Sequence, residues 1–152
     1  IDMGSHAYGG RRTARTETMY AAGGVAYVYL CYGIHALFNV VTGPADEPLA
    51  VLIRGIHPTD GIDEILIRRN HVRKNLADGP GKLTRALGIT TRHNGTVLTG
   101  NTIWLEEHLH APDEIVNQGP RIGIDYAGED AKLPYRFWFD YNKLEKSLSE
   151  KK

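Results

Sequence analysis

Cysteine is almost absent. Cys31 stands alone among 152 residues, so the chain can close no internal disulfide, and its apolar neighbours predict a buried, inert thiol. Charge of one sign is also missing: 18 Lys and Arg face 18 Asp and Glu. That excludes a protein coated with phosphate through net charge, but it leaves room for a local basic stripe, and Arg11, Arg12 and Arg15 supply one. No apolar run approaches the roughly 20 residues needed to span a bilayer. The longest, residues 25–31, is strand-sized and carries tyrosines. No zinc frame of the HExxH or CxxC kind occurs. The seven histidines are scattered, with only His108 and His110 close together, and no metal site is expected. Repeats, low-complexity segments, linkers and a secretory leader are not readable either. These absences predict an intracellular protein without disulfides, metal or membrane span.

What is present fits one domain. At 41% hydrophobic and 24% charged residues, the chain can bury a sizeable core and is not disordered by composition. Residues 25–42 read as two strands joined by a tight turn at Tyr32-Gly33-Ile34, with an exposed tyrosine at the tip. A loop follows at residues 43–48, then a strand over residues 49–56. Thr59-Asp60 offer N-cap chemistry to a helix through Ile62, Ile65 and Leu66. Pro80 and Gly88 bracket a second helix. Residues 96–106, 121–125 and 135–141 read as further strands, and residues 143–152 as a charged tail that frays. The expected fold is α+β: a single domain over residues 1–152 on a curved, mainly antiparallel sheet, with peripheral helices and a protruding β-hairpin.

Three stretches could carry chemistry. Gly79-Pro80-Gly81-Lys82-Leu83 opens a helix but lacks the spacing of a nucleotide-triphosphate loop. It is either helix-start geometry or a single phosphate site made of backbone N–H groups and Lys82. Asp125 and Glu129 are four apart in a strand-to-turn context, more typical of a solvated pair than of an acid–base dyad. Tyr27, Tyr29 and Cys31 alternate on one strand face while Tyr32 belongs to the turn. Core packing accounts for one such tyrosine more easily than for three, since each hydroxyl needs a partner. The other reading is a stacking platform with a wedge at the hairpin tip.

The order of these segments resembles a known family. Ser5-His6-Ala7-Tyr8-Gly9-Gly10-Arg11-Arg12-Thr13-Ala14-Arg15, Met19-Tyr20, and Tyr27-Val28-Tyr29-Leu30-Cys31-Tyr32-Gly33-Ile34-His35 through Asn39-Val40-Val41 look like the alkyladenine (3-methyladenine) DNA glycosylases. Val51-Leu52-Ile53-Arg54, Gly79-Pro80-Gly81-Lys82-Leu83, Gly119-Pro120-Arg121-Ile122-Gly123-Ile124 and Pro134-Tyr135-Arg136-Phe137 follow in the same order. The resemblance implies a repair enzyme that flips a damaged purine from duplex DNA and hydrolyses its N-glycosidic bond. It implies Tyr32, with Gly33 and Ile34, as the intercalating tip, and His35 against the same groove. His6, Tyr29 and Tyr27 would line the base pocket, with Asn39 at its floor opposing the amino group of normal guanine. Arg11, Thr13, Arg15 and Lys82 would contact phosphates. Arg54 would approach the sugar, and the Ile122 carbonyl would help hold the attacking water. No cofactor is implied. The expected partner is double-stranded DNA containing a damaged purine, bound by a monomer acting at DNA in a nucleoid or nucleus.

One part of the pattern lies elsewhere. The family's general base is a glutamate in a Glu-Ala-Tyr segment upstream of His6, which would precede Ile1; Asp2 is too close to His6 to be that residue. The expectation is therefore a glycosylase domain whose N-terminal segment stands before Ile1. The alternative is a non-catalytic module that binds damaged DNA. A more distant one is a shared sheet architecture alone, in which Tyr32 and Asn39 would be dispensable.

Overall fold

Alternation of side chains builds the first sheet. In the computed structural model, which describes residues 2–107 and 113–149, β1 (Ala26–Cys31), β2 (His35–Val41) and β3 (Ala50–Leu52) pair antiparallel in that order. The register sets Val28 opposite Phe38 and Tyr27 opposite Asn39. One face therefore carries Ala26, Val28 and Phe38, and these bury together with Leu83, Ile89 and Leu98 as the main core. The other face carries Tyr27, Tyr29, Leu37 and Asn39.

Helix α2 (Pro80–Leu87) covers the core face. Pro80 stands at its first turn, and Gly88 closes it in the left-handed region at φ 71°. The Ile89 N–H donates to the Thr84 carbonyl and the Gly88 N–H to the Arg85 carbonyl, a Schellman closure that needs glycine. The Thr84 hydroxyl, 2.7 Å from the Ala36 carbonyl, ties the helix to β2. Helix α1 (Ile62–Arg68) packs on α2 through a smaller cluster of Ile65, Ala77 and Ala86. The second sheet joins β4 (Asn117–Gly119) to β5 (Arg136–Trp138), and α3 spans Tyr141–Ser149. The chain groups into two compact units, Ile1–Arg11 with Glu106–Lys152, and Arg12–Leu105. The first sheet, α1 and α2 belong to the second of these.

The α+β antiparallel fold, the hairpin and α2 are as the sequence predicts. Several boundaries are not. The strand expected over residues 49–56 stays with β2 only as β3, because Ile56 turns its N–H to the Ala77 carbonyl and Gly55 bridges Asp78. The cap of α1 is Gly61 at φ 65°; Thr59 instead spends its hydroxyl on the Asp60 carboxylate, 2.9 Å away. Residues 96–106 form only the isolated bridges Val25–Val97 and Thr99–Trp104. Residues 121–125 are not a strand either: Gly123 takes φ 78°, and 3-10 turns follow over Asp125–Lys132. Strand β5 is shorter than residues 135–141. The charged tail from residue 143 is helical through Ser149, as part of α3. Cys31 is half-buried rather than enclosed.

Candidate functional site

The hairpin tip is shaped by two consecutive left-handed residues, Tyr32 at φ 51° and Gly33 at φ 70°. The Ile34 N–H donates to the Cys31 carbonyl at 3.1 Å. Two left-handed residues in succession make a β-turn of the primed kind, set within a three-residue loop between the paired Cys31 and His35. Glycine accepts such a backbone freely, whereas a tyrosine there costs roughly 1 kcal/mol. The strained side chain is 92% exposed, and its neighbour Ile34 is 74% exposed. An aromatic ring held out in solvent at a local energetic cost is not packing.

Beside the tip, an open groove of about 690 Å³ is lined by Ile34 and His35 from the hairpin and by Gly79, Pro80, Gly81 and Lys82 from the start of α2. A Cβ on Gly81 would lie 3.2 Å from the His35 ring, so glycine permits this close approach. The groove thus joins the intercalating candidates to the phosphate candidate Lys82. Arg69 and Arg85 line it as well. Neither was expected from the sequence; Arg68 and Arg69 at the end of the first predicted helix were a signal for Arg69 alone.

On the opposite sheet face, the Tyr27 and Tyr29 rings lie 5.3 Å apart, tilted by 32°. Tyr27 is buried and Tyr29 half-buried. Burial pushes the Tyr27 phenol above the ordinary tyrosine range, and a hydrogen bond with Arg15 partly opposes the shift. Asn39 is buried and points its amide nitrogen at the Tyr27 carbonyl, 3.0 Å away, and the Leu37 carbonyl, 3.4 Å away. Both partners can only accept, which fixes the amide with its oxygen directed away from them.

The basic loop divides its labour. Arg12 is held by Glu17 at 2.8 Å and Asp46 at 2.5 Å, and lies over the Tyr20 ring. Thr13 is a turn residue: its carbonyl accepts from the N–H groups of Thr16 and Glu17, and its hydroxyl lies 3.2 Å from that of Thr16. Arg11 and Arg15 are exposed. Arg54 is half-buried two residues beyond β3.

His6 and Ile122 belong to the other unit. The Asp2 carboxylate accepts the Gly4 N–H at 2.9 Å and pairs through both oxygens with Arg121, which also donates to the Asp130 carbonyl. The loop bearing His6 is thereby tied to the segment bearing Ile122, and the Ile122 side chain is exposed. The Asp2–Arg121 link was not read from the sequence, since 119 residues separate the partners. Arg121 holds the Asp2 carboxyl below its ordinary value of 3.8, against an opposing effect of burial. A carboxylate whose folded pKa is depressed contributes stability fully above its unfolded pKa and loses it as pH falls through the folded one. Asp2→Asn is expected to destabilise the fold at neutral pH, with the difference vanishing as acid protonates the parent carboxylate. Denaturation midpoints measured across pH check this; a difference that stays constant into acid would contradict it.

Glu129 pairs with Lys132 at 2.7 Å within the 3-10 turns, both exposed, so with Asp125 it forms a solvated turn pair. His93 accepts the Thr90 N–H through Nδ1 at 2.9 Å, a capping role. His108 and His110 lie outside the described residues. Among the described residues no group of side chains could hold a metal ion, and no helix is long and apolar enough to cross a membrane.

Comparison with known proteins decides the family. The sequence model described as methylpurine-DNA glycosylase matches residues 1–143. This chain belongs to the methylpurine-DNA glycosylase family. The protein named "Putative 3-methyladenine DNA glycosylase" in Bacillus thuringiensis is 48% identical over 151 residues, spanning 91% of this chain and 73% of the relative. The proteins of the same name in Bacillus cereus and Bacillus anthracis are 48% and 47% identical over similar spans. Membership in the methylpurine-DNA glycosylase family makes the chain a DNA glycosylase, a hydrolase of DNA repair that acts on damaged DNA.

Proposed function

We propose that this glycosylase releases alkylated and deaminated purines, among them 3-methyladenine, 7-methylguanine, hypoxanthine and ethenoadenine, from duplex DNA and leaves an abasic site. The observation that carries the reading is Tyr32, a strained and almost wholly exposed aromatic at a hairpin tip. A base taken out of the stack leaves a gap, and an inserted ring offsets part of the unstacking cost. Gly33 supplies the turn, while Ile34 and His35 extend the apolar contact into the minor groove. Lys82 at the start of α2, with Arg11 and Thr13, contacts phosphates and positions the duplex without reading its sequence.

The everted purine is received by Tyr29 and Tyr27; the family resemblance adds His6. Alkylation at a ring nitrogen makes a purine a better leaving group, and its flat π-surface can stack on the two tyrosines. Neutral lesions depend instead on hydrogen bonding, for which the His6 backbone is the candidate. The Asn39 side chain, anchored at its nitrogen end, takes the space that the exocyclic amino group of guanine needs and so disfavours the normal base by clash.

Hydrolysis requires a water, for which the Ile122 carbonyl and Arg54 near the sugar are the candidates, and a general base, which the family resemblance gives as the glutamate of a Glu-Ala-Tyr segment. A general base contributes typically about 10²–10⁴ in rate. No lysine is assigned as nucleophile, so the enzyme is monofunctional and leaves the strand intact. It acts as a monomer, inside the cell, on double-stranded DNA and without a cofactor. Equilibrium binding tests the recognition half of the proposal: a duplex with one ethenoadenine or hypoxanthine is bound more tightly than its undamaged counterpart. Equal binding of all three would overturn it.

A further inference from the structure

Arg15 differs from its basic neighbours in where its charge sits. Its guanidinium lies 5.2 Å from the centroid of the Tyr29 ring and hydrogen-bonds with the Tyr27 hydroxyl. Arg12, three residues earlier, turns instead to Glu17 and Asp46. The two tyrosine rings are 5.3 Å apart, so a single cation lies over one ring and meets the hydroxyl of the other. A phenol ring attracts cations through the negative face of its π-system. In this protein that attraction is already used by a side chain of its own. To reach a phosphate, Arg15 would have to give up the stack and a hydrogen bond to a buried phenol, a bond more costly to lose than one at the surface.

We propose that Arg15 is a specificity-determining residue of the base pocket, whose guanidinium on the Tyr27–Tyr29 face repels cationic purines and shifts selection toward neutral lesions. This rests on the reading of Tyr29 as a base-pocket residue. It also revises the phosphate-contact role that the family resemblance gives Arg15. Like charges held within one pocket at an effective dielectric near 20 change affinity on the order of tenfold. The loss falls on bases such as 7-methylguanine and 3-methyladenine, whose alkylated ring bears a positive charge. Ethenoadenine and hypoxanthine carry none and are unaffected.

The test compares binding of duplexes carrying one 7-methylguanine, one ethenoadenine or no lesion, over a range of salt concentrations. Arg15→Gln keeps a hydrogen-bond donor near Tyr27 and removes the charge; Arg15→Lys keeps the charge. The expected result is that Arg15→Gln raises the affinity ratio of 7-methylguanine to ethenoadenine about tenfold. Its salt dependence stays that of the parent, and Arg15→Lys retains the parent ratio. Two results overturn the assignment. In one, both lesions lose affinity equally and the slope of log K against log salt flattens by about one, as for a phosphate contact. In the other, neither the ratio nor the slope changes. If the parent protein binds lesions no better than undamaged duplex, the base-pocket reading itself fails, which is a separate result.

Discussion

Tyr32→Asn is expected to raise the stability of the fold and, in the same protein, to weaken capture of lesion-containing duplex. Two consequences of one substitution separate here because the tyrosine is badly suited to its backbone. At φ 51° asparagine is tolerated well, and Asn-Gly is the favoured pair for this turn. Relief of the strain is worth about 1 kcal/mol. The ring makes no compensating core contact, being 92% exposed, so nothing in the folded protein is lost with it. On DNA the balance reverses. Losing a stacking aromatic costs roughly 1–3 kcal/mol, or about 5- to 150-fold in affinity. Tyr32→Phe keeps the ring and is expected to keep binding. Denaturation midpoints and lesion-duplex affinities of the two variants check both halves. An asparagine variant that binds like the parent would remove Tyr32 from the interface.

Leu83→Ala is expected to cost about 2–5 kcal/mol of stability, as full burial of a leucine in a packed core implies. Leu83 is 0% exposed and sits among Ala26, Val28, Phe38, Ile89 and Leu98. It is the residue through which α2 grips the sheet, and the cavity left behind can close only if the helix moves. Because Lys82 precedes it directly, the phosphate candidate shifts with the helix. The denaturation midpoint should fall with little change in slope, and lesion affinity should fall less than stability does. A loss under 1 kcal/mol would mean that α2 is not the main clamp on this face.

The parts of the fold that the sequence made legible are those specified by local chemistry. Tyr32-Gly33 between two alternating runs marks a hairpin, and Pro80 with Gly88 marks both ends of α2. The parts that were not legible depend on partners far along the chain. Residues 49–56 read as one strand in the sequence, yet beyond β3 they exchange β2 for residues 77 and 78 as partner, and no periodicity announces that exchange. Residues 121–125 alternate like a strand, but Arg121 is claimed by Asp2 and Asp130. At the site, the exposed tyrosine at the hairpin tip was readable from spacing, whereas spacing left core packing and stacking both open for Tyr27 and Tyr29. The division between Arg12, turned to carboxylates, and Arg15, turned to aromatic rings, was not, because three arginines in a loop look alike until their partners are known.

The central claim is hydrolytic release of a damaged purine, and the direct measurement is base release by the protein from a duplex carrying one ethenoadenine or hypoxanthine. The account predicts strand breaks at the lesion after alkali and an intact strand before it, the signature of an abasic site made without strand cleavage. Tight binding to the lesion with no alkali-labile site would contradict it, and would leave a protein that finds damaged DNA without repairing it.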